Sequence, residues 1–246
     1  MSSVRLPLFP LNSVLFPGLV LPLHVFEARY RAMMRDLLDR PEDERRFAVV
    51  AIRDGREVAP TAPGLPDATA PAASGPAAGF GDDPLRAFHT VGCVADAATI
   101  REKPADGGYE VLATGTTRFR LLSVDASGPY LTGELAELAE DHGDGAGALA
   151  SGVVRAFRTY QKRLAWANER TLTGGQELPA DPSVLSYLVA AAAVLDVPAK
   201  QRLLEAPDTA ARLRQELKLL RQESAVIGKL PSLPAVELTR QPTSPN

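Results

Sequence analysis

Apolar positions follow three regimes along the chain. Near the start they come in short runs cut by proline, LPLFPLNSVLFPGLVLPLHV. Pro7, Pro10, Pro17 and Pro22 each remove a backbone donor and fix φ, so no continuous helix runs through this stretch. It reads as two strands, 4–9 and 19–25, joined by a turn at Phe16-Pro17-Gly18, with the prolines at edges, strand starts or bulges. Phe26, Tyr30, Met33 and Leu37 then recur at helical spacing and predict a helix over 26–39, with Pro41 just past its end. Strand-like runs follow at 47–53, 89–96, 109–114, 117–124 and 130–135. Asp106-Gly107-Gly108 supplies a hairpin turn. Short strands around one embedded helix predict a mixed β barrel or sandwich.

The last regime has helical period. Val153, Phe157, Tyr160 and Leu164 share a face. Asp181 and Pro182 cap and open a second helix carrying Val184, Leu185, Leu188 and Val189. Pro198 opens a third with Leu203 and Leu204, and Asp208 caps a fourth with Leu213, Leu217 and Leu220. These faces bury one another in a small bundle. The fold class expected is therefore α+β, a β domain over 1–136 followed by a helical subdomain over 148–229. Two stretches break the pattern. Residues 59–84, rich in Pro, Ala and Gly, have little to bury and read as a flexible surface insertion. Residues 137–147 pass from acidic to glycine-rich and read as a linker. The proline-containing tail over 230–246 is expected to be loose.

Composition narrows the function classes. Of the 246 residues 45% are hydrophobic, but only 8 are Phe, 5 Tyr and 1 Trp, so the core is mainly aliphatic. The formal charge of −3 and pI near 5.7 weigh against nucleic-acid binding, which needs clustered Lys and Arg. Residues 149–229 nevertheless hold 12 Lys and Arg against 8 Asp and Glu, a bias ordinarily explained by solvated helix faces. Cys93 is the single cysteine, so no intrachain disulfide forms and a reducing compartment is expected. The proline-broken N-terminus fits neither a signal peptide nor a membrane span, which makes a cytoplasmic location the expectation.

Catalytic and metal chemistry finds little support. His24, His89 and His142 are scattered without ligand-like spacing, and no metal or other cofactor is expected. Cys93 lies in an apolar run and reads as a small core residue. No Ser/His/Asp or Cys/His constellation is visible. The only Gly-Lys pair, Gly228-Lys229, is followed by Leu230 and lacks the upstream glycine of a phosphate loop.

Four places carry a family resemblance. PLFPL, VLFPG, LPL and FEARY lie between Pro7 and Tyr30. His89-Thr90-Val91-Gly92 follows, with Val94-Ala95. GTTRFRL runs from Gly115 to Leu121. Asp196, Lys200-Gln201, Leu203-Leu204-Glu205 and Arg212-Leu213 form the fourth. Together they resemble the Lon protease N-terminal, substrate-binding domain, as a stand-alone member. The resemblance implies a PUA-like β domain with one helix, then a helical bundle. It also implies a non-catalytic module that binds unfolded or peptide-like protein segments, with an ATP-dependent protease as a partner. The motor and the Ser–Lys peptidase of a whole Lon protease are not expected here. An RNA-binding PUA-like protein is the alternative.

Two sets of residues follow from this frame. Phe16, Leu19 and Tyr30 are candidates for an apolar groove that takes an extended peptide by side-chain burial and strand addition. Glu27, in the first turn of the first helix, and Arg118, on a strand, are candidates for a structural ion pair within the β domain.

Overall fold

The computed structural model describes residues 3–53, 75–81, 83–103, 107–167 and 177–227. The elements run β1 (Ser3–Leu11), β2 (Val20–Val25), α1 (Ala28–Leu38), β3 (Arg46–Ala51), a four-residue α2 (Pro84–Ala87), β4 (Val91–Lys103), β5 (Gly108–Asp125), β6 (Thr132–Glu137), then α3 (Ala146–Ala167), α4 (Pro182–Ala192), α5 (Val197–Leu204) and α6 (Thr209–Ile227). The class is α+β, as the periodicity predicts. The runs at 109–114 and 117–124 are one strand rather than two, and β4 extends seven residues beyond the expected run.

The sheet order is β2-β5-β4-β3-β1-β6, with β5 also paired to β6. That second pairing closes β1, β3, β4, β5 and β6 into a ring and leaves β2 outside it. Closure is possible because β5 is 18 residues long. Its first half pairs with β2, from Tyr109 opposite Val25 to Thr114 opposite Val20. Its second half pairs with β6, from Phe119 opposite Glu137 to Asp125 opposite Thr132. Register shifts between Cys93 and Ala95 and between Ala97 and Thr99 bend the long β4–β5 pair. β1 and β3 are parallel; the other pairings are antiparallel.

Alternation along β3 serves two cores. Phe47 and Val49 join Phe9, Tyr30, Met33, Met34 and Leu37 under α1. Ala48, Val50 and Ile52 join Leu6, Leu8, Phe119 and Leu135. Met33, Met34 and Leu37 are wholly buried, and each such side chain contributes about 1.5–3 kcal/mol relative to exposure. Gly92 is required at the crossing of β3, β4 and β5, since a Cβ there would sit 2.3 Å from the Val49 carbonyl oxygen. Residues 54–74, the body of the expected insertion, lie outside the described residues, as do the tail over 230–246 and Asp106 of the expected hairpin turn. The described end of the insertion docks: Phe80 is buried against Phe88 with ring centroids 4.8 Å apart. Arg29 Nη1 donates to the carbonyl oxygens of Pro76 and Ala78 at 3.1 and 3.0 Å.

In the helical half, Asp181 Oδ1 accepts from the Ser183 and Val184 amides at 2.9 Å, and Asp208 Oδ1 from the Ala211 amide at 2.7 Å. Asp196 caps α5 in the same way through the Ala199 amide. Each cap contributes about 1 kcal/mol. The segment read as a linker is held by backbone bonds to the start of α6: the amides of Thr209 and Ala210 donate to the carbonyls of Asp141 and His142.

The same segment carries Glu140, the centre of a polar node fastening helices to sheet. Arg118 of β5, 3% exposed, donates Nε to Glu140 at 3.2 Å and Nη1 to the carbonyls of Leu204 and Ala206 at 2.9 and 2.7 Å. Arg212, wholly buried, reaches Glu140 at 3.1 Å, the Leu203 carbonyl at 3.1 Å and Ser186 Oγ at 2.9 Å, and its guanidinium lies over the Tyr187 ring. The Tyr187 hydroxyl donates to Glu140 at 2.5 Å. Burial alone would raise the Glu140 carboxyl. The Tyr187 hydrogen bond and the two guanidiniums outweigh it and hold the group below the usual carboxylate range.

Candidate functional site

The turn that the sequence places at Phe16-Pro17-Gly18 sets the position of β2. Gly18 adopts φ +77°, its amide donates to the Gly115 carbonyl at 2.8 Å, and the Gly115 amide donates to the Leu19 carbonyl at 2.9 Å. Gly115 permits this approach, because a Cβ there would lie 2.4 Å from the Phe16 carbonyl oxygen. The turn thus clamps β2 against the middle of β5. In an antiparallel pair bonded and unbonded residues alternate. With Leu19 bonded to Gly115, the main chain of Leu21 and Leu23 faces β5, and that of Val20, Pro22 and His24 faces outward. The middle of this outer edge is a proline with no N–H, so an added strand would meet a gap in its ladder.

The outward face beside that edge is open. Pro22 lies opposite Leu112, and Leu112 opposite Thr99; His24 lies opposite Glu110, and Glu110 opposite Arg101. Together these residues line a groove of about 650 Å³ with Leu23, Val111 and Lys103. Leu112 is 46% exposed, Val20 58% and Phe26 48%. The rings of His24 and Phe26 are 6.2 Å apart. Lys103 pairs with Glu110 at 3.2 Å across the groove. Arg101 adds a second cation on the same side. The face therefore offers apolar surface bordered by charge, on a rigid three-stranded support.

The residues singled out in the sequence fall elsewhere. Phe16 is 1% exposed and packs among Tyr187, Ala190, Leu203 and Leu204, at the junction of sheet and helices. Tyr30 is 6% exposed and stacks on Phe9 at 4.3 Å. Leu19 is half-buried against both cores. The structure does not bring these three together as a groove; the turn aromatic and the helix tyrosine serve packing. Nor does it bring Glu27 to Arg118. Glu27, the residue just before α1, pairs with Arg29 of its first turn at 2.8 Å, while Arg118 turns to Glu140. Arg118 was legible as a buried-pair residue, but its partner lies in the acidic run at 137–147, where one carboxylate among several gives no local signal. The groove on β2 and β5 was hidden by the same proline pattern that marked β2 as an edge, since exposure of Leu112 depends on what covers β5.

Cys93 is buried and its thiol is pushed up to about 12 by burial, which leaves it protonated and unreactive. Among the described residues no group of three His, Cys, Asp or Glu is placed to hold a metal ion, and no helix is long and apolar enough to cross a membrane.

Residues 5–222 match the family profile of the ATP-dependent protease La (LON) substrate-binding domain. The chain belongs to this family. The Lon protease of Anaeromyxobacter dehalogenans (strain 2CP-C) is 28% identical over 233 residues, which is 90% of this chain and 24% of that protein. Lon protease 2 of Syntrophobacter fumaroxidans (strain DSM 10017 / MPOB) is 30% identical over 215 residues, 85% of this chain and 23% of that protein. The chain thus spans about a quarter of the length of the curated relatives it matches. Among solved structures, the N-terminal domain of the Mycobacterium avium complex Lon protease superposes with a TM-score of 0.58 at 18% identity, over 90% of this chain and 98% of that one. A Lon N-terminal domain protein from Xanthomonas campestris gives 0.55 at 21% identity, over 87% and 98%. These likenesses establish the fold. The Lon substrate-binding fold thus spreads the proline-broken N-terminal motif over β1, the Phe16 turn, the outer strand β2 and the start of α1, and places the GTTRFRL motif at the point where β5 passes from groove to node.

Proposed function

We propose that the chain is a non-catalytic protein-binding module that takes exposed apolar segments of other proteins on the open face of β2, β5 and β4. The observation that carries this reading is the solvent-open strip of Val20, Pro22 and Leu112 beside the groove, in a family named for substrate binding. Contiguous apolar surface on a folded domain costs solubility and is retained where something covers it. Pro22 interrupts the outer edge, so recognition proceeds through side chains in the groove more than through strand addition. Arg101 and Lys103 along one wall favour segments with an acidic residue next to apolar ones. Delivery of the bound segment to an ATP-dependent protease is the extension that family membership supports.

The test uses a reduced, alkylated and permanently unfolded protein as ligand, labelled for fluorescence anisotropy. The wild-type chain binds it saturably. Leu112→Asp lowers affinity by about tenfold or more, a loss of about 1.4 kcal/mol, with the thermal melt unchanged. Equal affinity in that variant places the binding surface elsewhere. Phe16→Asp is unsuited to this purpose, because Phe16 belongs to the core.

A further inference from the structure

The basic bias of the C-terminal half is concentrated on one side. α3 carries Arg155, Arg158, Lys162 and Arg163 and no Asp or Glu. α6 exposes Arg214, Lys218 and Arg221, while Glu216, one of its two acids, is buried. The two helices lie side by side and run in the same direction. Leu217 approaches Gly152 near the start of the pair, and Arg163 Nη1 donates to the Ser224 carbonyl at 2.5 Å near its end. Between them lies a cleft of about 340 Å³ whose floor includes Gly152, Ala156 and Leu217 and whose rim includes Arg155, Arg163 and Arg221. Among the described residues no carboxylate lines it. Like charges converging without a counter-charge are unfavourable in the free protein, in a chain whose formal charge is −3 overall.

We propose that this cleft docks an acidic amphipathic helix of a partner protein. The small residues Gly152 and Ala156, one turn apart, open a furrow along α3 that admits an aliphatic side chain beside Leu217. The guanidinium forks on both sides then take carboxylates one turn to either side of it. A bare phosphate would use the arginines but not the apolar floor. The outlying Arg158, Lys162, Arg214 and Lys218 extend the positive field beyond the cleft and steer a negative partner toward it. This surface lies on α3 and α6, apart from the β2 face, and does not depend on the reading of that face.

The test uses the full chain. Its single tryptophan, Trp166, is exposed near the end of α3, three residues beyond Arg163 of the cleft rim, and serves as one probe. A tryptophan-free synthetic helix with Glu one turn apart and Leu between them is titrated in at low salt. Anisotropy of the labelled peptide is read in parallel, so that a silent Trp166 does not hide binding. Saturable binding is expected, weakened by about tenfold or more in Arg155→Glu/Arg221→Glu and abolished when Lys replaces Glu in the peptide. Both arginines are exposed, and an unchanged thermal melt confirms that the variant folds. Pyrophosphate and a short DNA duplex form the remaining arms. The proposal fails if the acidic helix does not bind, if it binds the double variant equally, or if only pyrophosphate or the duplex senses the two arginines.

Discussion

The two halves of β5 meet opposite fates. From Gly108 to Thr114 the strand supports β2, and Leu112 stands open to solvent beside the groove. From Arg118 onward it pairs with β6, and Arg118 is buried under α5 with three acceptors. The backbone is continuous and the hydrogen-bonded ladder similar. What differs is what lies across the strand at these two positions: among the described residues nothing covers Leu112, whereas the end of α5 covers Arg118. An apolar residue left open can bind, whereas a charged residue enclosed with its counter-charge holds two layers together. Gly115 sits between these regimes and lets the Phe16 turn close on the strand at that point.

The sharpest way to break this contrast is at the node. Arg212→Ala leaves Glu140 without its main counter-charge and empties a fully buried site; a loss of about 3–5 kcal/mol is expected by chemical denaturation. A loss below about 1 kcal/mol would show that water replaces the guanidinium, and that the node is not what joins the layers. Gly115→Ala tests the hinge between the halves. Its Cβ meets the Phe16 carbonyl at 2.4 Å, so the turn must shift, at about 1–3 kcal/mol in the same measurement.

A third change probes how far enclosure can go wrong. Both carboxylate oxygens of Glu216 are buried without a hydrogen-bond partner among the described residues, and burial raises its pKa well above the ordinary value, against a smaller opposing effect of Arg212. A raised carboxyl binds a proton in the folded state that the unfolded chain has released. Its penalty is therefore absent at low pH and grows as pH rises from the ordinary carboxylate range toward the folded pKa. Glu216→Met is expected to stabilise the protein by about 1–3 kcal/mol at pH 8. The gain should shrink as the melt is repeated toward pH 4. A variant less stable than wild type at both pH values would contradict this. The smallest stability change belongs to the open half: Leu112→Asp should stay within about 0.5 kcal/mol of wild type while losing the unfolded-protein ligand.

Local signals covered much of the fold. Helical spacing marked α1, α3, α4 and α6, and aspartates in front of apolar runs marked the caps, because both depend on residues within one or two turns. The strands of the sheet were visible from their short apolar runs, except that Gly115-Thr116 in β5 read as a break. The site residues were less legible. Phe16 in a Pro-Gly turn has the appearance of an exposed aromatic, and only α4 and α5, far along the chain, bury it. Glu140 is one acid among several, and its partners Arg118 and Arg212 lie 22 and 72 residues away. No periodicity spans such separations.

By itself the sequence determined most of the elements, their order and the family, since these follow from backbone restriction by proline, from side-chain period and from motifs contained within short stretches. Only the tertiary structure decided which apolar residues are left uncovered and which charges meet. Exposure and charge pairing are properties of the space around a side chain, and that space is set by closure of the β5–β6 pair and by the helices folded back against it.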